Sequence, residues 1–108
     1  AGTKVILILG HTSCGAVGAA WQGVEDGNIT GLLAKIQPAV DKTKAQHGEE
    51  GTPEVLNACV AQNVDQMCGE VRAQSSILAE MEAKGEIILA GGVYNVSTGK
   101  VSFTGQSA

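Results

Sequence analysis

Apolar residues run without interruption from Val5 to Leu9 and close on Gly10 and His11. No polar residue stands at alternate positions, as it would on a strand with one wet face. The run therefore predicts a parallel strand covered on both sides by helices. Small residues follow in GAVGAA, predicting a short helix from about Cys14 to Val24 that packs closely on that strand and stops in the turn-rich EDGN. His11 and Cys14 then fall in the turn at the carboxyl end of the strand, where open α/β sheets bind their ligands.

Further along, ITGLLAKIQPAVDKTKAQHG places Leu32, Leu33, Ile36 and Val40 near one helical face, with Pro38 expected to bend or interrupt the helix. HGEEG reads as an acidic loop containing His47. Thr52-Pro53-Glu54 then supplies an N-cap, a proline at the first helical position and an acid in the first turn. The long helix that follows carries Val60, Val64, Met67 and Val71 as one stripe. A break is expected near Gln74 to Ser76, then more helix to Lys84 with Gly85 as its C-cap. EIILAGG predicts a second buried strand, and VYNV, STGK and VSF a small hairpin around a glycine turn. One strongly apolar strand plus a hairpin is too little sheet for a central strand at Val5–Leu9, which needs a neighbour on each side. The expectation is one partial domain over residues 1–108, with strands missing upstream or supplied by another polypeptide.

Composition narrows the partners. Hydrophobic residues make up 44% and charged residues 17%, with 7 Lys+Arg against 11 Asp+Glu for a net charge of −4. An acidic chain with one Trp, one Tyr and one Phe lacks the basic patches and stacking platforms of a nucleic-acid surface. No apolar run approaches the roughly 20 residues of a membrane helix, so no membrane partner is expected. Three cysteines without C-x-x-C spacing make no disulfide framework, which favours a reducing, cytoplasmic setting.

The chemistry concentrates in His11-Thr12-Ser13-Cys14-Gly15. Zinc takes imidazole nitrogen and thiolate sulfur in tetrahedral geometry, and an i, i+3 pair across a strand-to-helix turn can aim both into one cavity. The helix N-terminus after Cys14 favours the thiolate. Gly15 removes a side chain where a ligand would approach the backbone. Two ligands do not hold zinc, so a third must come from elsewhere; the plainer reading is a small buried cysteine and a histidine capping a tight turn. Other chemistries fit less well. A phosphate-cradling loop needs Lys and Ser/Thr where Ala16 and Val17 stand, a dinucleotide fingerprint needs G-x-G-x-x-G, and a cysteine phosphatase needs arginine where Ala20 stands. A Cys–His nucleophilic pair lacks an orienting acid near the turn.

These residues resemble a known family. VILILGHTSCGAVGAA is similar to the second zinc-binding motif of the β-class carbonic anhydrases, a strand ending in Gly-His-x-x-Cys-Gly-Ala. LLAKIQPAV resembles the helical segment after it, Gln62-Asn63-Val64 the long helix, and GEIILAGGVYNVSTGKVSF the closing strand and hairpin. The resemblance implies an α/β fold, a mostly parallel sheet flanked by helices, with the N-terminal part of the domain absent. It implies Zn2+ held by His11 and Cys14 together with a cysteine from an upstream Cys-x-Asp-x-Arg motif that this chain does not contain. The reaction implied is reversible hydration of CO2 to bicarbonate, with the Gly15 backbone N–H placed to hydrogen-bond a substrate oxygen. Association as a dimer or higher homo-oligomer, or with a missing N-terminal fragment, is implied as well. Two alternatives stand beside it: a non-catalytic truncated or degenerate relative kept for assembly, and a carbonyl sulfide or carbon disulfide hydrolase on the same scaffold.

The remaining candidates read as structure. Cys59 and Cys68 lie nine residues apart, about 180° around one helix, and cannot both face one site; both are expected in the core. His47, Glu25, Asp26, Glu49 and Glu50 read as solvated, Trp21 as packed under the acidic loop, and Tyr94 as a core-edge residue.

Overall fold

A computed structural model of the chain describes residues 4–106. The elements are β1 (Lys4–His11), α1 (Gly15–Gln22), α2 (Ile29–His47), α3 (Pro53–Gln74), α4 (Ser76–Ala83), β2 (Ile87–Tyr94) and β3 (Val101–Gln106). The sheet order is β1-β2-β3. The first pair is parallel, from Lys4 opposite Ile87 to His11 opposite Tyr94. The second is antiparallel, with an irregularity between Gly91 and Gly92. This is the expected α/β arrangement, its described strands forming a mixed sheet.

Local chemistry sets most helix ends. The Thr52 hydroxyl accepts from the Val55 N–H at 3.3 Å, with Pro53 in the first turn. Ser75 closes α3 through its own N–H to the Val71 carbonyl and opens α4 by accepting from the Leu78 N–H at 3.2 Å. Gly85, at φ 76°, ends α4 in the left-handed conformation that glycine adopts freely. Of the two expected effects of Pro38, bending or interruption, the interruption does not occur: α2 runs through it. Pro38 and Ala34 are both exposed, so water can reach the carbonyl that the proline leaves without an N–H partner. His47 lies in the last turn of α2 rather than in the loop, and it is exposed as expected.

α3 lies across β1 and β2, and α1 and α2 pack on α3 rather than on the sheet. The main core is therefore interhelical: Val17, Ala20 and Trp21 of α1, Leu33, Ile36, Ala39 and Val40 of α2, and Cys59 and Val60 of α3. The sheet approaches α3 through glycines. A Cβ on Gly10 would lie 2.8 Å from methyls of both Val60 and Val64, and one on Gly91 would lie 2.8 Å from Val64. The Thr104 hydroxyl donates to Asp65 at 2.8 Å and ties β3 to the same helix.

The expectation that Val5–Leu9 is covered on both faces is corrected. Among the described residues, helices cover only the face carrying Ile8 and Gly10. Val5, Leu7 and Leu9 remain 61%, 43% and 50% exposed, and Phe103 of β3 is 66% exposed. Among the described residues β1 is also an edge strand, with one of its two ladder edges open. The anticipated shortage of strands is thus visible in the fold. The chain exposes 6711 Å², where a folded monomer of its mass exposes about 5,600 Å². Its radius of gyration is 15.0 Å, against about 13 Å for a compact domain of this size.

Candidate functional site

His11 is the last residue of β1 and Gly15 the first of α1, so Thr12, Ser13 and Cys14 alone make the turn. Each is anchored differently. The Thr12 N–H donates to the Tyr94 carbonyl at 2.9 Å, extending the parallel ladder by one step. The Thr12 hydroxyl accepts from the Val96 N–H at 3.1 Å, which joins the turn to the β2–β3 connection. The Ser13 N–H donates to Asn57 Oδ1 on α3 at 3.3 Å. Ser13 has φ 56°, the one left-handed residue besides glycine among the described residues. Such a backbone costs on the order of 1–3 kcal/mol and persists only where its surroundings hold it. Cys14 is the N-cap of α1 but makes no side-chain capping bond, so its sulfur is free for another partner.

His11 Nδ1 donates to the Thr12 carbonyl oxygen at 2.9 Å. That bond places the proton on Nδ1 and leaves the Nε2 lone pair available, the arrangement common to metal-binding histidines. Histidine nitrogen and free cysteine sulfur are the donor types zinc takes. The donor set therefore fits part of a zinc centre. Among the described residues no group of three His, Cys, Asp or Glu side chains could hold a metal ion. Beside Cys14 lies a cleft of about 300 Å³ lined by Ser13, Cys14, Pro53, Leu56 and Asn57. Gly15 is exposed, and a Cβ built there would touch nothing within 4 Å. The chain itself thus leaves the helix start open to approach.

The other cysteines stay with the core, as read from their spacing. Cys59 is fully buried and Cys68 nearly so. Burial pushes both thiols above the ordinary value of 9.0, opposed at Cys59 by the Thr43 hydroxyl and at Cys68 by the Arg72 charge. A thiol that resists ionisation when folded stabilises the fold below its unfolded value, and that contribution is lost as pH rises. Unfolding free energy should therefore decline above about pH 9 under reducing conditions. Denaturant titrations across that range should show a shallower decline for Cys59→Ala than for the wild type.

Trp21 lies under the acidic loop, its indole N–H donating to the Glu49 carbonyl at 3.2 Å. Glu25, Asp26, Glu49 and Glu50 are exposed, and Tyr94 stands at the partly exposed end of β2. Asn57 escaped the sequence reading, and so did the left-handed turn at Ser13. The contact spans 44 residues and carries no local signature. Within the described residues, no helix is long and apolar enough to cross a membrane.

Comparison with known proteins gives one consistent result. The family profile described as carbonic anhydrase matches residues 1–101. A carbonic anhydrase of Mycolicibacterium smegmatis is 28% identical over 98 residues, covering 90% of this chain and 47% of that protein. The Coccomyxa β-carbonic anhydrase, solved in complex with acetazolamide, superposes with a TM-score of 0.75 at 26% identity, over 93% of this chain and 46% of that one. The β-carbonic anhydrase CafA of Aspergillus fumigatus gives a TM-score of 0.79 over 93% of this chain and 48% of its own; at 24% identity it speaks to the fold alone. The chain spans about half the length of each of these proteins.

Proposed function

The chain belongs to the β-carbonic anhydrase family, and from that membership we propose that it carries part of a zinc centre for reversible hydration of CO2 to bicarbonate. The observation that supports this reading best is the anchored turn. It ends a parallel strand with a histidine whose Nε2 is free and a cysteine whose sulfur has no capping partner. His11 and Cys14 are the residues that would hold the metal. When bound, zinc would lower the pKa of its water toward roughly 7 and so supply a nucleophile near neutral pH.

The chain's own residues do the rest of what is proposed here. His11 is oriented by its Nδ1 bond to Thr12. Gly15, as the first residue of α1, has a backbone N–H that the helix does not use, and its open surroundings let a substrate oxygen reach it. The third metal donor comes from outside the described residues. The open edge and bare apolar face of β1 favour a partner on that side, either further chain of the same domain or another subunit. The excess exposed area, about 1,100 Å² over the expected figure, is of the size such a contact removes.

Zinc per chain after dialysis against metal-free buffer tests the reading. Where a second copy of the chain supplies the third donor, the wild type should approach one, with Cys14→Ser and His11→Ala each falling near zero, and a CO2 hydration assay should follow the same order. A wild-type value near zero would overturn the metal centre in this chain and favour a non-catalytic role in assembly.

A further inference from the structure

We propose that Asn57 is a positioning residue, which sets the relative placement of His11 and Cys14 by holding the amide between them. This deepens the metal-centre reading and rests on it. Ser13 is the second of the three turn residues. Its φ of 56° turns the chain between the last residue of β1 and the N-cap of α1, so the Ser13 conformation sets how His11 and Cys14 are placed relative to each other. Serine gains nothing intrinsically from that conformation, so an external contact must favour it. The bond from the Ser13 N–H to Asn57 Oδ1 is that contact.

Asn57 is well placed for the task. It lies on α3, whose Val60 and Val64 meet the strand at Gly10, next to His11. The helix that supplies the acceptor is thus seated on the strand that supplies the first donor. Asn57 also lines the cleft beside Cys14, so its amide borders the site as well as bracing it. Because an N–H can only donate, the bond fixes the Asn57 oxygen on Ser13 and directs its NH2 elsewhere. The Thr12 bonds to Tyr94 and Val96 secure the strand side of the turn, and Asn57 secures the helix side. Removing Asn57 alone should therefore free Ser13 and Cys14 while leaving His11 on its ladder.

The test compares wild type, Asn57→Leu and Asn57→Asp as the 108-residue chain. Leucine keeps the bulk and removes the acceptor; aspartate keeps an acceptor oxygen. In the metal-free chain, amide exchange at Ser13 should rise about tenfold in Asn57→Leu, as for a lost protecting bond, with wild-type exchange at Val60 and Val64 and recovery in Asn57→Asp. Unchanged Ser13 exchange in the leucine variant overturns the proposal, and so does an equal rise along α3, which would mark a general loss of fold. Cobalt titration then reads the consequence through the thiolate-to-cobalt absorption band. Asn57→Leu should bind about tenfold or more weakly than wild type, the usual cost of losing a group that orients ligands, and Asn57→Asp should bind like wild type. Equal cobalt affinity in all three chains overturns the positioning role. If the wild type shows no band, the metal-centre reading is what fails, and the exchange measurement alone decides whether Asn57 holds the turn.

Discussion

Trp21→Ala should lower the unfolding free energy by about 3–5 kcal/mol, the usual cost of emptying a large aromatic site. Whole domains are stable by only about 5–15 kcal/mol, and this chain leaves more surface open than its mass warrants, so the variant should be largely unfolded at room temperature. Trp21 is 7% exposed and packs among residues of all three helices of the main core. It also joins three parts of the chain. The indole N–H reaches the Glu49 carbonyl, and the Lys44 ammonium sits 5.0 Å over the ring while donating to the Trp21 carbonyl. Gly51 lies so close that a Cβ there would come within 2.8 Å of the indole nitrogen. The end of α1, the last turn of α2 and the loop leading to α3 therefore meet on one side chain. Burial dominates that sum, because the Lys44–Glu49 pair has an exposed carboxylate and contributes little. Trp21→Phe separates the parts: it keeps most of the apolar contact, loses the bond to Glu49, and should cost only about 1–2 kcal/mol. Urea unfolding followed by circular dichroism decides between them, and an alanine variant within 1 kcal/mol of wild type would contradict the placement of Trp21 in the core.

Features written in local chemistry were legible from the sequence. The Thr52-Pro53 helix start, the break at Ser75 and the glycine stop at Gly85 each depend on residues within a turn of one another. Hydrophobic spacing gave the direction in which side chains point, but it could not say whether anything stands there to cover them. Met67 and Val71 lie on the same side of α3 as Val60 and Val64, yet they are only half-buried. They line an open groove with Ile8 and Leu78. Leu32 belongs by angle with Ile36 on α2 and is nonetheless 54% exposed. Val5, Leu7 and Leu9 show the same on the sheet. In each case an apolar side chain points where no described residue fully covers it. The site was legible where its chemistry is contiguous, at His11, Cys14 and Gly15. Asn57 was not, because its bond to Ser13 exists only once α3 is seated on β1. Nothing near residue 57 encodes that seating; Gly10 does.

Gly10→Val should therefore damage fold and site together, with a loss of about 3 kcal/mol or more, at the upper end for overpacking a close contact. At this position even a Cβ would stand 2.8 Å from the Val60 and Val64 methyls, well inside contact distance, and the valine methyls would reach further. β1 has no room to yield toward β2 without breaking its parallel ladder, so the strain falls on the seating of α3. As α3 lifts, Asn57 moves from Ser13, and exchange at the Ser13 amide should rise above the level that global destabilisation alone produces. The contrast with Trp21 is the informative part, since Trp21→Ala attacks the interhelical core and should raise exchange everywhere through unfolding. Gly10→Ala with Val64→Ala closes the argument. Each single change destabilises, one by crowding and one by a cavity, whereas the pair relieves one of the two methyl contacts that the new Cβ meets and should be less destabilising than the two added together. Strict additivity would mean that Gly10 and Val64 do not touch, and the distance between sheet and helix on which the Asn57 contact depends would be wrong.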